Sequence, residues 1–232
     1  MHKSLLSVAA LALAVVAPLA QAHTEGDIIL RAGAITVNPK ADSSSVKVDQ
    51  GPLAGADLGG KATMSSDTQL GLNFAYMITD HVGIELLAAT PFEHDVKLKG
   101  TGLAAANGKL GSLKHLPPTL SVVYYPLDPK SVFQPYVGAG INYTWIYDEH
   151  VGSSASAAGF DNFKAKNSWG LAWQIGADYM LTDNIMINAQ ARYIDIDTRA
   201  TVENNAVAPG TRAKVNVDVD PFVYMVGIGY KF

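Results

Sequence analysis

Asp220-Pro221-Phe222-Val223-Tyr224-Met225-Val226-Gly227-Ile228-Gly229-Tyr230-Lys231-Phe232 closes the chain. Counting back from Phe232 in steps of two gives Phe232, Tyr230, Ile228, Val226, Tyr224 and Phe222, while the other parity gives Lys231, Gly229, Gly227, Met225 and Val223. A period of two marks a strand, because successive side chains point to opposite faces. One face is apolar throughout with aromatics at both ends, and the other is mostly small with one cation at its tip. That pattern fits a barrel wall whose outer face meets lipid between two interfacial girdles and whose inner face meets a crowded or wet lumen. An amphipathic strand on a soluble core would look the same taken alone, so the rest of the chain decides.

Seven earlier segments repeat the pattern. They run from about Asp27 to Val37, Thr68 to Met77, Val82 to about Phe92, His115 to Tyr125, Phe133 to about Tyr147, Ser168 to Tyr179 and Ile185 to Tyr193. Leu70, Leu72, Phe74 and Tyr76 alternate with Gln69, Gly71, Asn73 and Ala75. Trp169, Leu171, Trp173 and Ile175 alternate with Ser168, Gly170, Ala172 and Gln174. A soluble barrel would turn the bulky set inward and place charge outside; here the non-bulky set is small or polar, which suits a lumen. Short turns at Thr79-Asp80-His81, Pro126-Leu127-Asp128-Pro129 and Thr182-Asp183-Asn184 all fall at one end. Long Gly-, Ser- and Pro-containing connections, about 38–67, 93–114, 148–167 and 195–213, fall at the other and are expected to be loops. Tight periplasmic turns opposite long external connections are the outer-membrane arrangement. The expected fold is therefore all-β, an eight-stranded antiparallel transmembrane barrel of up-and-down topology.

Composition agrees. Apolar residues make up 48% and mean hydropathy is +0.12, and no later stretch supplies the roughly 20 apolar residues of a membrane helix. A chain that crosses with strands must close them into a barrel, since hydrocarbon offers nothing to an unpaired backbone group. Met1-His2-Lys3, the apolar run Leu5 to Val16, Pro18 and Ala20-Gln21-Ala22 read as a signal peptide over 1–22, leaving a barrel domain over 23–232 that begins at His23. Losing Lys3 and no acid takes the net charge from −4 to −5, and no basic patch invites nucleic acid. Cysteine is absent, so the backbone ladder carries the stability.

Arg31-Ala32-Gly33, Gln69-Leu70-Gly71-Leu72, Gly83-Ile84-Glu85-Leu86-Leu87-Ala88-Ala89-Thr90-Pro91-Phe92, His115-Leu116-Pro117-Pro118-Thr119-Leu120, Pro135 to Tyr143 and the terminal Gly229-Tyr230-Lys231-Phe232 resemble the OmpW family of bacterial outer-membrane proteins, in its OprG-like branch. The likeness covers nearly the whole mature chain. It implies a Gram-negative outer-membrane barrel that passes small, largely apolar molecules, with small amino acids as a further cargo of that branch. It also implies contact with the lipid bilayer and lipopolysaccharide, monomeric state, and recognition of Phe232 by the barrel-assembly machinery.

Four charges fall on inward positions, Arg31, Glu85, Asp178 and Arg192. An eight-stranded interior is only wide enough to be filled by side chains, and buried charges must pair or cost several kcal/mol each. They are expected either to plug the periplasmic half with ion pairs or to act as a selectivity filter. Pro91 near the outer end of the third strand, and Pro117 and Pro118 near the outer start of the fourth, cannot donate to a ladder. They either end those strands above the bilayer or leave a side window between them, and the resemblance, which implies a lateral route, favours the window. Inward Leu87 matches the family's apolar gate position, whereas the matching site on the seventh strand is Arg192, which points to a mixed filter. His81, His94, His115 and His150 fall in turns or loop edges without metal-ligand spacing, and Asp195 and Asp197 form at most a weak cation site. No cofactor, metal centre or catalytic set is expected. The competing class is an OmpX-like structural, adhesive or stress-related barrel with a blocked lumen that acts through its loops.

Overall fold

A computed structural model describes residues 22–102, 104 and 107–232; the leader expected over 1–22 lies almost wholly outside these. The chain climbs and descends in four excursions. It rises through β1 (Ile28–Asn38), then β2 (Asp42–Ser43) and β3 (Val46–Gln50), and returns through β4 (Asp57–Met64) and β5 (Asp67–Met77). It rises again through β6 (Val82–Ala89) and β7 (Phe92–Thr101) and descends through β8 (Gly108–Leu116) and β9 (Thr119–Tyr124). The third excursion is the single long β10 (Phe133–Val151), a one-turn helix α1 (Ser153–Ala157), β11 (Phe160–Ala165) and β12 (Ser168–Met180). The last is β13 (Ile185–Ile194), β14 (Asp197–Asn204), β15 (Thr211–Asp218) and β16 (Phe222–Lys231).

Eight of these strands close on themselves. The antiparallel ladder runs β1–β5–β6–β9–β10–β12–β13–β16 and returns to β1, where Gly33 faces Gly227. At that seam the two backbones approach so closely that a Cβ on either glycine would collide with the opposite strand's carbonyl, which is why neither position carries a side chain. Closure satisfies every edge, as a hydrocarbon surrounding demands.

The predicted parity holds on all eight, on the third segment as far as Ala89; beyond it Pro91 is exposed and Phe92 buried, the reverse of the expected phase. Trp169, Ile175 and Ile228 are 71%, 63% and 64% exposed, while Arg31, Glu85 and Asp178 are fully buried in the lumen. An outer wall of Leu, Ile, Val and Trp would forgo about 1.5–3 kcal/mol per side chain in water, so the wall is solvated by lipid. Tyr76, Phe133, Tyr179, Tyr230 and Phe232 ring the end with the tight turns, and Tyr143, Trp145, Trp169, Tyr193 and Phe222 ring the other.

The long connections differ from the expectation of loops. Most of their length is strand, and β3, β4, β7, β8, β14, β15, β11 and the upper half of β10 form a second tier above the belt. Its polarity is inverted. Val46, Val48, Val96, Leu98, Leu110, Val202, Val215 and Val217 are buried inside, while Lys47, Lys97, Lys99 and Lys109 stand outside. Glycine, serine and threonine dilute the alternation in these segments, so composition alone reads as loop.

Candidate functional site: a closed floor and a gap in the wall

Two side chains from different strands, Arg31 and Arg192, anchor a continuous polar floor. From β1, Arg31 binds Asp178 of β12 through two parallel bonds, Nε to Oδ1 at 3.0 Å and Nη2 to Oδ2 at 2.5 Å. Its Nη1 donates to Asn73 Oδ1 at 3.1 Å and reaches Glu85 Oε2 at 3.4 Å, and Nη2 also donates to Tyr125 Oη at 2.9 Å. From β13, Arg192 donates through Nη2 to Glu85 Oε1 at 2.7 Å and through Nε to Gln174 Oε1 at 2.7 Å. Glu85 of β6 thus bridges both guanidiniums. Asn188 Nδ2 donates to Asp178 Oδ1 at 2.8 Å, and His23 Nε2 lies 3.0 Å from Oδ2.

The four predicted charges therefore lie in one net-neutral, fully buried cluster. Bidentate pairing and side-chain amides offset the desolvation that four isolated charges would incur. Beneath it Ile29, Met77, Tyr125, Tyr136, Met180 and Met186 pack into an apolar base. The Tyr136 ring sits where a Cβ on Gly176 would be, so the bottom is filled. Above the floor, Leu87 joins Ile35, Ile194 and Met225 in the apolar cluster that continues into the extension. The inward parity already named Asn73 and Gln174; their contact with the charges came only from the closed barrel. His23, at the chain's entry, carried no sequence signal.

The three prolines flank one interruption of the wall. The β6–β9 ladder ends at Leu87 opposite Thr119, and the β7–β8 ladder begins at Phe92 opposite His115. Ala88 to Pro91 on one side and Leu116 to Pro118 on the other have no cross-strand register between them. Asn142 Nδ2 takes over part of the missing ladder, donating to the carbonyls of Pro117 and Pro118 at 3.0 and 3.1 Å. Outside the gap is a groove of about 240 Å³ lined by Ala88, Ala89, Leu116, Pro117, Pro118 and Trp145. Inside is an apolar cavity of about 40 Å³ whose wall includes Val37, His94, Leu113, His115 and Ile146.

Two histidines correct the expectation of loop-edge placement. His94 and His115 are buried on β7 and β8, their rings stacked with centroids 4.8 Å apart, because their strands belong to the inverted tier where inward positions are enclosed. Burial pushes both imidazoles down, His115 from the ordinary 6.5 to about 3. His81 and His150 remain at a turn and an exposed strand end. Asp195 and Asp197 gain Asp220, with oxygens within 4.8 Å of one another, and burial together with Asp195 raises the Asp197 carboxyl.

A lipid-facing eight-stranded barrel with a charged floor, an apolar upper lumen and a proline-bounded gap defines a bacterial outer-membrane protein. The chain belongs to the OmpW family, whose model matches residues 24–232. It is 43% identical to outer membrane protein W of Vibrio cholerae over 224 residues, 95% of this chain and 97% of that protein. The crystal structure of the outer membrane protein OprG from Pseudomonas aeruginosa superposes with a TM-score of 0.84 at 48% identity, over 91% of this chain and 98% of that one. A more distant relative, 27% identical over 75% of this chain and 76% of its own length, is the dibenzothiophene metabolism operon protein PahQ of Pseudomonas aeruginosa.

Proposed function

We propose that this protein passively admits small hydrophobic and amphipathic molecules from outside and releases them sideways into the outer leaflet. In this route the solute enters the apolar upper lumen, is stopped by the floor of Arg31, Glu85, Asp178 and Arg192, and leaves through the gap bounded by Pro91, Pro117 and Pro118. The observation that carries it is the interruption of the ladder between Leu87–Thr119 and Phe92–His115, with an apolar cavity on one side and a lipid-facing groove on the other. A solute that never meets the charged cluster needs no open pore through it. The name of the PahQ relative, which points to an apolar aromatic, is consistent with such cargo. No catalytic step is required, and the protein acts as a monomer among lipids and lipopolysaccharide, with Phe232 read during assembly.

The test is uptake into proteoliposomes of an apolar solute and a small amino acid, comparing wild type with Pro91→Ala. Restoring a backbone donor at the gap is expected to slow the apolar solute selectively; equal rates would remove the lateral route.

A second cargo class, small amino acids, is favoured by one feature. Arg192 Nη1 is buried without a partner and so keeps an uncommitted donor for a carboxylate. Arg192→Ala is then expected to raise zwitterion permeation in liposome swelling, and an unchanged swelling rate counts against it.

A further inference from the structure

The cavity beside the gap is walled mostly by apolar side chains, with His94, His115, Thr144 and Thr198 the polar residues among them, and the Thr198 hydroxyl donates to the Lys166 carbonyl. His94 Nδ1 lies 2.5 Å from the Ser65 carbonyl oxygen, and a carbonyl can only accept, so the proton sits on Nδ1. At neutral pH burial keeps His94 uncharged, which leaves its Nε2 as a bare lone pair. The His115 Nε2 lies 2.8 Å from that lone pair and must donate to it. A neutral imidazole has a single N–H, so the His115 Nδ1 is in turn a bare acceptor. It has no partner, and among the described residues lining the cavity it is the buried side-chain nitrogen or oxygen left unsatisfied. The neighbouring polar groups are committed: Thr144 Oγ1 donates to Asn142 Oδ1, and Asn142 Nδ2 to the Pro117 and Pro118 carbonyls.

The placement matters as much as the tautomer. His115 is the first residue above the interrupted ladder, Phe92 stacks on it at 5.4 Å, and the next residue, Leu116, already lines the outer groove. Anything that passes from cavity to groove moves by this ring.

We propose that the Nδ1 of His115 is a fixed hydrogen-bond acceptor on the exit path, so that the preferred cargo is an apolar body carrying one hydroxyl donor, an alcohol or phenol, over a bare hydrocarbon of the same size. This deepens the lateral-uptake function and rests on it. Ser65 and His94 are positioning groups: they hold the tautomer and touch no cargo. A single neutral hydrogen bond in an enclosed site corresponds to roughly a 3–10-fold preference.

The experiment uses the full barrel in lipid nanodiscs with nitrogen-15 histidine, titrated with octanol and with octane, and in parallel the entry of both into proteoliposomes. Octanol is expected to move the His115 Nδ1 resonance and octane to leave it. The octanol-to-octane entry ratio should fall roughly 3–10-fold in His115→Phe, which keeps a ring in the same stack. His94→Phe should leave the fold intact and move the His115 proton between its two nitrogens, a change that a purely structural role for His94 would not produce. If both solutes enter, the ratio is the same in His115→Phe and neither moves Nδ1, the acceptor is wrong and lateral uptake stands. If neither enters faster than through protein-free vesicles yet octanol still moves Nδ1, uptake is wrong and the acceptor stands. Absence of both signals overturns both.

Discussion

The membrane belt and the extension above it use the same strands with opposite polarity. Below the level of Trp145 and Trp169 the apolar side chains look out and Arg31, Asn73, Glu85, Gln174 and Asp178 look in; above it Val46, Val96, Leu110, Val202 and Val215 look in and lysines look out. The reason is the solvent. Hydrocarbon rewards apolar outer faces and leaves the interior to satisfy its own polar groups, whereas water rewards the reverse. On the second excursion the inversion is made by shifting parity: Ile84 and Leu86 face out on β6, while Phe92 and His94 face in on β7, across the irregular Thr90–Pro91 step. A one-residue change in phase moves every later side chain to the other face. The proline gap therefore sits where two differently solvated tiers meet, which is where an apolar upper lumen abuts lipid.

The comparison breaks first in the floor. Glu85→Ala leaves Arg31 short of one partner and Arg192 without a buried anion, and is expected to cost about 3–5 kcal/mol in urea unfolding from micelles. The double variant Glu85→Leu with Arg192→Leu should recover much of that loss, and failure to recover would mean that packing and not pairing holds the floor. Next is the wall. Ile175→Lys, midway between the Trp169 and Tyr179 girdles, should cost about 2–4 kcal/mol. Thr201→Lys on the outer face of β14 should stay within about 0.5 kcal/mol, and equal costs would refute the difference in solvent.

The remaining effect is pH-dependent and confined to the extension. Because the folded state holds His115 neutral down to about 3, the unfolded chain binds the extra proton between 6.5 and about 3. Stability is therefore unaffected above 6.5 and is lost as pH falls through that window, by at most about 1.4 kcal/mol per unit from this group. His115→Phe should flatten the slope of the urea midpoint against pH over that range, and an unchanged slope would show that the ring is not buried neutral.

The belt was legible from its alternation, since lipid enforces a strict period of two and aromatic ends over residues such as Leu70 to Tyr76 and Phe222 to Phe232. The extension was not. Its segments carry glycines at φ values near +70°, such as Gly60 on β4 and Gly100 on β7, and such residues read locally as loop. The buried histidine pair was hidden for a related reason: once 93–114 is taken for loop, His94 has no inside to face, and His115 stands at the edge of that loop with no partner in view.

Parity alone told which side chains meet lipid and which meet the lumen, because a strand's two faces are fixed by covalent geometry. Height was not available from it. Arg31 and Asp178 are 147 positions apart, and Glu85 and Arg192 are 107 apart. Only the stagger of the closed sheet brings these groups together and sets Pro91 and the Pro117–Pro118 pair on the two sides of one interruption, since pairing register is a property of two strands and never of one.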